Sequence, residues 1–268
     1  MMIDAIKELI AKSARKLGIA VLRQDTLQGI KDQARVGSSH WLALETPPEH
    51  ALLFLESMEK TQAERWQDLL ALSQAGFKRG GYFIEFGAND GRLISNTYML
   101  EKEFGWTGIL AEPIAGLHDA LRKNRPASHI ETDCVWSVSG EVISFNEADV
   151  SLLSTVETFR TAHGLPEARL VGTTHQVPTI SLLDLLNKYE APGHIDFLSV
   201  DTEGSECEIL RTFDFSKYTF SVIVCEHNYA PQREQIFDLL TSHGYRRVFE
   251  ERSECDDYYV REASAEES

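Results

Sequence analysis

The sequence predicts an α/β fold, with a doubly wound, mostly parallel sheet that ends in an antiparallel hairpin and follows a helical extension. From residue 81 onward, short β-rich segments alternate with helical stretches, which is typical of parallel strands joined by crossovers. An apolar strand, residues 82–86, runs directly into a Gly-x-x-x-Gly turn. The last two β-rich segments are separated by residues 252–256, a length that suits a hairpin.

Eight strands are predicted in this part of the chain. They are residues 82–86, 108–112, 129–133, 141–146, 196–200, 220–226, 245–251 and 257–260. We expect helices after residues 91, 113, 203 and 231. Residues 146–175 show few regular signals, and a long insertion of this kind is often a lid or an acceptor loop.

We divide the chain into an N-terminal helical extension (1–78), a ligand-binding α/β domain (79–262) and an acidic tail (263–268). Residues 1–18 have the spacing of a basic amphipathic helix. We expect this helix to pack on the domain or on a second subunit of a homo-oligomer, and the alternative is weak contact with an anionic membrane surface. A second helix of about 25 residues is predicted over 50–76, after a proline-containing start.

Composition limits the classes of function. The 268 residues can bury the core of one large domain. The net charge of −16 makes nucleic acid an unexpected partner. The four cysteines form no Cys-x-x-Cys pair, which indicates buried thiols in a reducing cytoplasm. Charged residues interrupt the N-terminus where a signal peptide would be apolar. We therefore expect a cytoplasmic protein, with peripheral attachment to the inner face of the membrane as the alternative.

The turn after the first predicted strand has nucleotide-binding geometry. Gly87 and Gly91 let the backbone approach a ligand closely, and Glu112 follows 21 residues after Gly91 at the end of another apolar run. An acid at about this distance hydrogen-bonds ribose hydroxyls in doubly wound sheets. A third glycine at Gly-x-Gly-x-x-Gly spacing is missing, and Asp90 would repel a pyrophosphate. A ligand with an adenosine but no phosphates fits better, and S-adenosylmethionine is the common one.

Acidic side chains recur at the predicted strand ends. They are Glu85, Glu112, Asp133, Asp201 and Glu226. Ligands in such sheets sit outside the carboxyl ends of the strands. Any one of these acids alone could cap a helix, and for Asp201 that alternative stays open. Five of them at equivalent positions indicate a site.

Seven short motifs occur in order along the α/β domain. They are FIEFGANDG at 83–91, SNT at 95–97, LEK at 100–102, GWTG at 105–108, EP at 112–113, NR at 124–125 and DFLSVDTEGSE at 196–206. Together they resemble the FkbM family of methyltransferases. The resemblance implies a class I, Rossmann-like methyltransferase fold that uses S-adenosylmethionine to methylate a hydroxyl oxygen, often of a sugar or a secondary metabolite.

The resemblance also implies roles for individual residues in cofactor binding. Those expected to contact S-adenosylmethionine are Glu85, Gly87, Asn89, Gly91, Ser95, Asn96, Glu112, Asp133, Cys134, Val135 and Asp201. The first four match the motif around the methionine part and the sulfonium. Ser95 and Asn96 open the next helix and would hold the methionine carboxylate. Glu112 matches the acid on the ribose, and residues 133–135 fall where the adenine edge is bound.

For catalysis, the resemblance places Asp201 and Glu203 beside the methyl-transfer site. A neutral hydroxyl is a poor nucleophile, so the reaction needs a general base or a metal ion that lowers the hydroxyl pKa. His227 is our first choice as base because it titrates near neutral pH, and the alternative is a histidine satisfied inside the sheet. Glu203 has a strong alternative as a helix cap. Some family members bind a divalent metal, which makes Asp201, Glu226 and His227 candidate Mg²⁺ ligands.

The expected acceptor is a small molecule or a glycan. Trp136, His163 and Arg169, in or near the insertion, are candidate sugar contacts, although an aromatic side chain more often belongs to the core. A different class of function stays open, namely a non-catalytic subunit that binds an adenosine cofactor and scaffolds a partner through its N-terminal helices. The complete set of acids at the strand ends favours the enzyme.

Overall fold

A computed structural model of the protein describes residues 42, 46–161 and 167–262. The predicted helix at 1–18, His163 and the tail at 263–268 lie outside the described residues. The chain divides into two compact units, residues 1–48 and 49–268. Residues 49–78 therefore group with the sheet, and the structural boundary differs from the predicted one at residue 79.

A seven-stranded sheet forms the centre of the second unit. Its strands are β1 (Tyr82–Phe86), β2 (Thr107–Ala111), β3 (His129–Glu131), β8 (His194–Val200), β9 (Thr219–Glu226), β10 (Tyr245–Val248) and β11 (Asp256–Arg261), in the order β10-β11-β9-β8-β1-β2-β3. Pairing is parallel from β3 to β9, and β11 runs antiparallel between β9 and β10. The class I methyltransferase fold, with its antiparallel C-terminal hairpin, is confirmed.

Seven helices accompany this sheet in the described part of the chain. They are α1 (Ala51–Met58), α2 (Gln67–Gln74), α3 (Tyr98–Phe104), α4 (His118–Asn124), α5 (Leu182–Lys188), α6 (Glu206–Leu210) and α7 (Gln232–Ser242). The helices predicted after residues 91, 113, 203 and 231 are α3, α4, α6 and α7. Helix α5 was not predicted, although Ser181 caps it by accepting a hydrogen bond from the amide of Asp184. No helix among these residues is long and apolar enough to cross a membrane.

The predicted helix over 50–76 is wrong, because α1 and α2 are separate. The hydroxyl of Thr61 donates to the carboxylate of Asp68 and accepts from the amide of Ala63. Such local side-chain bonds compete with the helical backbone pattern. Trp66 then adopts a left-handed conformation with φ of 65° before α2 begins. Helix α2 packs against β9, at the centre of the unit.

The segment with few regular signals belongs to a second, four-stranded sheet. Its strands are β4 (Cys134–Trp136), β5 (Val142–Ala148), β6 (Thr155–Val156) and β7 (Gly172–Ser181), in the order β4-β7-β5-β6. Residues 172–178 of β7 pair antiparallel with the whole of β5. The expectation of a largely irregular insertion at 146–175 is therefore wrong for the described residues.

The main core lies between the large sheet and its helices. Strand β8 is buried from its second residue to its last, as expected for a central parallel strand covered on both faces. A smaller apolar cluster joins the second sheet to the loop after β2, and it consists of Ile114, Cys134, Phe145, Val156 and Val177. The two sheets thus meet next to the carboxyl ends of β1 and β2.

Candidate active site

A cavity of about 370 Å³ opens at the carboxyl ends of β1, β2, β8 and β9. The order of the strands reverses between β1 and β8, which is where ligands bind in doubly wound sheets. The cavity has the size of a small-molecule site. It is further lined by the 3-10 turn Ser151–Leu153 of the second sheet and by Glu64, Arg65 and Gln67 at the start of α2.

Gly87 places the turn after β1 directly against the end of β8. Its φ is +69°, and a Cβ atom built there would lie 2.2 Å from the carbonyl oxygen of Asp201. Only glycine permits this approach. Gly91 closes the turn with a φ of +77°, but it packs on Leu121 and Arg125 and does not line the cavity. Of the two glycines, Gly87 alone belongs to the site wall.

The carboxylate of Glu85 organises the segment before α3. It accepts hydrogen bonds from the hydroxyl of Ser95 at 2.9 Å, from the amide of Asn96 at 2.7 Å and from the hydroxyl of Thr97. Ser95 and Asn96 line the cavity as predicted. The amide of Asn96 is already engaged by Glu85, so it is not free to hold a methionine carboxylate.

Arg125 completes this network, and our sequence reasoning gave it no role. The side chain is fully buried at the end of α4 and donates to Glu101 at 2.8 Å and to the hydroxyl of Ser95 at 3.1 Å. Its guanidinium also lies 3.6 Å from the carboxylate of Glu85. The Asn-Arg pair at 124–125, one of the seven motifs, is the sequence signal that could have indicated a role for Arg125. Arg125 neutralises a buried acid and stiffens the cofactor turn.

The two polar residues of the glycine turn point in different directions. Asn89 lines the cavity, and its side-chain amide donates to the hydroxyl of Ser151 at 2.8 Å. Asp90 does not line it, because its carboxylate accepts from the amides of Arg92 and Leu93. The prediction that Asp90 brings its charge into the site is therefore wrong. Glu85 is the acid that the turn exposes to the cavity.

Glu112 stands at the end of β2 with both carboxylate oxygens anchored. One accepts from the amide of Asn89 and the other from the amide of Ile114, both at 2.8 Å. Burial raises the pKa of this carboxyl to about 7. Cys134 and Val135 line the wall nearby. Asp133 instead lies at a shallow depression with Lys188, outside the cavity, so its predicted adenine contact is not supported by its position.

Three carboxylates gather across the cavity from Glu112. Asp201 follows β8, Glu226 ends β9, and oxygens of these two and of Glu203 lie within 4.8 Å of one another. Burial, followed by the charge of Glu203, raises the pKa of Asp201 well above its ordinary value. Burial and the charge of Asp201 do the same for the pKa of Glu226. Acids with raised pKa values accept protons near neutral pH.

Glu203 is held by Arg169, in the 3-10 turn Glu167–Leu170 before β7, and by Asn228, which follows β9. The carboxylate of Glu203 pairs with the guanidinium of Arg169, which also donates to the backbone carbonyl of Glu203 at 2.8 Å. The same carboxylate accepts from the side-chain amide of Asn228 at 3.2 Å. Burial raises the pKa of Glu203 to about 7, and Arg169 opposes that shift. Arg169 is fully buried behind Glu203, which places it away from the predicted sugar contact. Trp136 packs on the smaller apolar cluster and fits the core alternative.

His227 does not line the cavity. Its Nδ1 accepts from the amide of Tyr229 at 3.0 Å, and its Nε2 lies 3.0 Å from the hydroxyl of Ser253. Burial lowers the pKa of His227 to about 4, against the opposing charge of Asp257. The ring thus ties the loop after β9 to the turn before β11. The structure fits the alternative of a satisfied histidine, and neither the base nor the ligand role is supported.

One wall of the cavity was missed by sequence reasoning. Arg65 and Gln67 precede and begin α2, and Asp256 begins β11. Gln67 donates to the carboxylate of Asp256 at 2.8 Å. Arg65 pairs with Glu64 at 2.7 Å. None of these residues follows a parallel strand, so no pattern pointed to them.

Residues 85–247 match the Methyltransferase FkbM domain, which is more than half of the sequence. The chain belongs to the FkbM methyltransferase family. The matched part contains the cofactor turn, Glu112 and the Asp201 to Glu226 cluster of this FkbM-family protein. No curated protein matches the chain.

Several solved structures are similar to this FkbM-family chain. One is the methyltransferase FkbM from Methylobacillus flagellatus KT, with 13% identity, a TM-score of 0.41, and coverage of 95% of this chain and 70% of that chain. Another is the O-methyltransferase from Bacillus cereus in complex with SAH, with 11% identity, a TM-score of 0.41 and coverage of 94% and 97%. A third is precorrin-6y C5,15-methyltransferase from Geobacter metallireducens GS-15, with 12% identity, a TM-score of 0.39 and coverage of 73% and 86%.

Proposed function

We propose that the protein is an S-adenosylmethionine-dependent O-methyltransferase whose acceptor is a hydroxyl of a sugar, in a glycan or a glycosylated metabolite. One observation carries the proposal. A single cavity holds the anchored carboxylate of Glu112 at one end and the raised-pKa carboxylates of Asp201 and Glu226 at the other. This arrangement suits a nucleoside at the first end and proton removal from an acceptor at the second.

The residues at the Glu112 end fit S-adenosylmethionine. The two oxygens of Glu112 keep lone pairs for ribose hydroxyls, because each accepts one backbone amide. Ile114, Val135 and Phe145 offer apolar surface for the adenine. The absence of a Cβ at Gly87 lets the turn after β1 lie directly against the Asp201 carbonyl at this end of the cavity.

When bound, S-adenosylmethionine supplies an electrophilic methyl group on its sulfonium. The residues of the protein then have two tasks, which are to align the acceptor with that methyl group and to take the acceptor proton. Asp201 is our choice as the general base. It follows β8 directly beside Gly87, and its raised pKa makes it a stronger base than an exposed carboxylate. Glu203, fixed by Arg169, supports Asp201 through its position and charge.

Assistance by Mg²⁺ stays a prediction. Asp201, Glu203 and Glu226 are the hard oxygen donors that Mg²⁺ prefers, and their spacing is compatible with a shared ion. A metal held there would lower the pKa of the acceptor hydroxyl. The pairing of Glu203 with the Arg169 guanidinium weakens the fit, because it places a cation next to the same oxygens.

Calorimetric titration with S-adenosylmethionine and S-adenosylhomocysteine tests the cofactor role. Glu112→Ala should weaken binding at least tenfold, because hydrogen bonds to a charged group each contribute about 1.5–3 kcal/mol. Asp238→Ala, an exposed acid on α7, is the matched control. Unchanged binding in Glu112→Ala, or no binding in the wild type, would contradict the cofactor assignment.

Methyl transfer to an active acceptor tests the catalytic role. Asp201→Asn should lower kcat by about 10²-fold or more, as expected for the loss of a general base. His227→Gln should stay within about threefold of wild type. The reverse ranking would restore His227 as the base. A protein that binds cofactor but transfers methyl to no acceptor would instead fit the scaffolding subunit.

Several expectations continue as parts of this proposal. They are a sugar-bearing acceptor, a cytoplasmic location, assembly as a homo-oligomer, and docking or weak membrane contact through residues 1–18. Gel filtration and flotation on anionic vesicles, each with and without residues 1–18, address the last two.

A further inference from the structure

We propose that the acceptor carries a protonated amino group, held among Asp201, Glu226 and Asp256 at the far end of the cavity. The inference rests on the proposed function and deepens it by naming the chemical class of the acceptor, an amine-bearing molecule such as an amino sugar. The strands that carry these acids, the charges around them and their hydrogen-bond partners support this proposal.

Glu226 and Asp256 lie away from the cofactor end, and Asp201, beside Gly87, lies between the two ends. Glu112 belongs to β2, whereas Asp201, Glu226 and Asp256 belong to β8, β9 and β11. With strands about 4.8 Å apart, β11 lies about 19 Å from β2. The cationic groups of S-adenosylmethionine are expected beside the turn after β1. Counted from β1, strand β9 is the second strand and β11 the third, at distances of about 10 Å and about 14 Å. Glu226 and Asp256 therefore face a different ligand.

Glu226 and Asp256 form a cross-strand pair of like charges. They are direct partners in the antiparallel register of β9 and β11, and both line the cavity. Side chains directly opposite each other have Cβ atoms about 4.5–5.5 Å apart, and like charges there destabilise the sheet. A bound cation between them relieves that repulsion.

One oxygen of the Glu226 carboxylate is also left without a partner. The residue is only 8% exposed, and its Oε2 has no hydrogen-bond partner among the described residues. A buried acceptor of this kind is costly unless a ligand satisfies it. Within the described part of the chain, Asp201, Glu226 and Asp256 take part in no ion pair, whereas the neighbouring Glu203 and Glu64 are paired with arginines.

An ammonium group suits this arrangement better than a metal ion. A metal would gather the compact set of Asp201, Glu203 and Glu226, which excludes Asp256 and includes the oxygens that Arg169 already binds. An ammonium group offers three N–H donors that can be shared among separated carboxylates. Gln67 donates to Asp256 without neutralising it. Burial raises the pKa of Asp256 to about 6, and the charge of Arg65 on the same wall opposes that shift.

The charge of the acceptor can be measured before its identity is known. We would fractionate a metabolite extract of the source cells by cation exchange and anion exchange at pH 7. Each fraction would then receive the protein and S-adenosylmethionine with a radiolabelled methyl group. Acceptor activity is expected in the fraction that a cation exchanger retains. Activity in the unretained or anion-exchange fraction would overturn the inference and leave the proposed function intact. No label in any fraction would contradict the proposed function and the inference with it.

Chemical blocking and chelation separate an amine from a metal. Acetic anhydride in bicarbonate converts amines to neutral amides and spares hydroxyls, so treatment of the active fraction should remove at least 90% of its acceptor activity. Retained activity would overturn the proposal. Activity that is lost in EDTA and restored by MgCl₂ would assign the carboxylates to a metal and would also overturn it.

Variants locate the subsite. Glu226→Gln should raise the KM for the active fraction about tenfold or more, because one charged hydrogen bond is lost, while the affinity for S-adenosylhomocysteine stays within twofold. Glu234→Gln, an exposed acid on α7, should leave both values unchanged. Asp256→Asn should act like Glu226→Gln. An unchanged KM in both cavity variants would place the amine elsewhere and overturn the subsite.

Discussion

Replacing Gly87 by alanine tests the close approach on which the site depends. The new Cβ would lie 2.2 Å from the carbonyl oxygen of Asp201, about 1 Å inside the usual contact distance. The left-handed φ of +69° adds a cost of about 1–2 kcal/mol for any L-side chain. Backbone must therefore move on one side, so the cofactor turn and the proposed base separate by about 1 Å.

A displacement of this size should act on both binding and chemistry. We expect S-adenosylhomocysteine to bind at least tenfold more weakly to Gly87→Ala, measured by calorimetry. Methyl transfer should slow by about 10²-fold, the usual cost of a 1 Å misplacement. Gly105→Ala is the matched control, because Gly105 has a φ of +66° at the end of α3 but nothing within 4 Å of a built Cβ. It should lose about 1 kcal/mol of stability and no affinity.

The comparison of the two alanine variants can refute the reasoning. If Gly87→Ala binds the cofactor within twofold of wild type, the approach of the β1 turn to Asp201 does not shape the site. If both variants lose affinity equally, the conformational cost of a positive φ explains the effect, and the contact with Asp201 contributes nothing.

Three further predictions concern charge. Burial raises the pKa of Glu112 to about 7, so this carboxyl is neutral in the free protein at lower pH. Calorimetry should therefore show weaker S-adenosylmethionine binding at pH 6 than at pH 8. Carboxyl groups whose pKa is raised in the folded protein favour the folded state at low pH. The melting temperature of the free protein should therefore fall as the pH rises from 4.5 through 7. Glu226→Gln should flatten that fall and raise the melting temperature at pH 8. A steeper fall in Glu226→Gln would contradict this. Arg169→Ala should lose about 3–5 kcal/mol in urea unfolding, because it leaves the carboxylate of Glu203 without its cation. Loss of the exposed ion pair in Arg122→Ala should cost less than about 1 kcal/mol, and equal losses would contradict the buried pairing.

Most of the large sheet could be predicted because its signals are local. Strand β1 matches its predicted bounds, and the other strands of this sheet start or end within three residues of theirs. Buried parallel strands are continuous apolar runs, and helices must follow to cover them. In the second sheet, β5 was predicted as residues 141–146, but β7 was missed because its first half is exposed and carries threonine, histidine and glutamine, a pattern that resembles an ordinary loop.

The cofactor end of the site was predicted for the same reason. Glu85, Gly87, Asn89 and Glu112 lie on two consecutive strand-to-helix turns, and all four line the cavity. The exceptions are Gly91, Asp90 and Asp133, which sit at the right place along the chain. Gly91 packs on Leu121 and Arg125, and hydrogen bonds or the path of the backbone turn the two acids away. Direction of a side chain is a tertiary property, which spacing alone does not contain.

The sequence by itself determined the fold class and the cofactor turn, because apolar periodicity, glycine and strand-end acids act over a few residues. Only the tertiary structure decided the acceptor end. Gln67 and Asp256 are 189 residues apart in the chain and meet through a hydrogen bond, and His227 leaves the cavity because Ser253 and a backbone amide engage its ring. Contacts between distant segments are set by how the sheets and helices pack, and this packing surrounds the proposed acceptor with carboxylates.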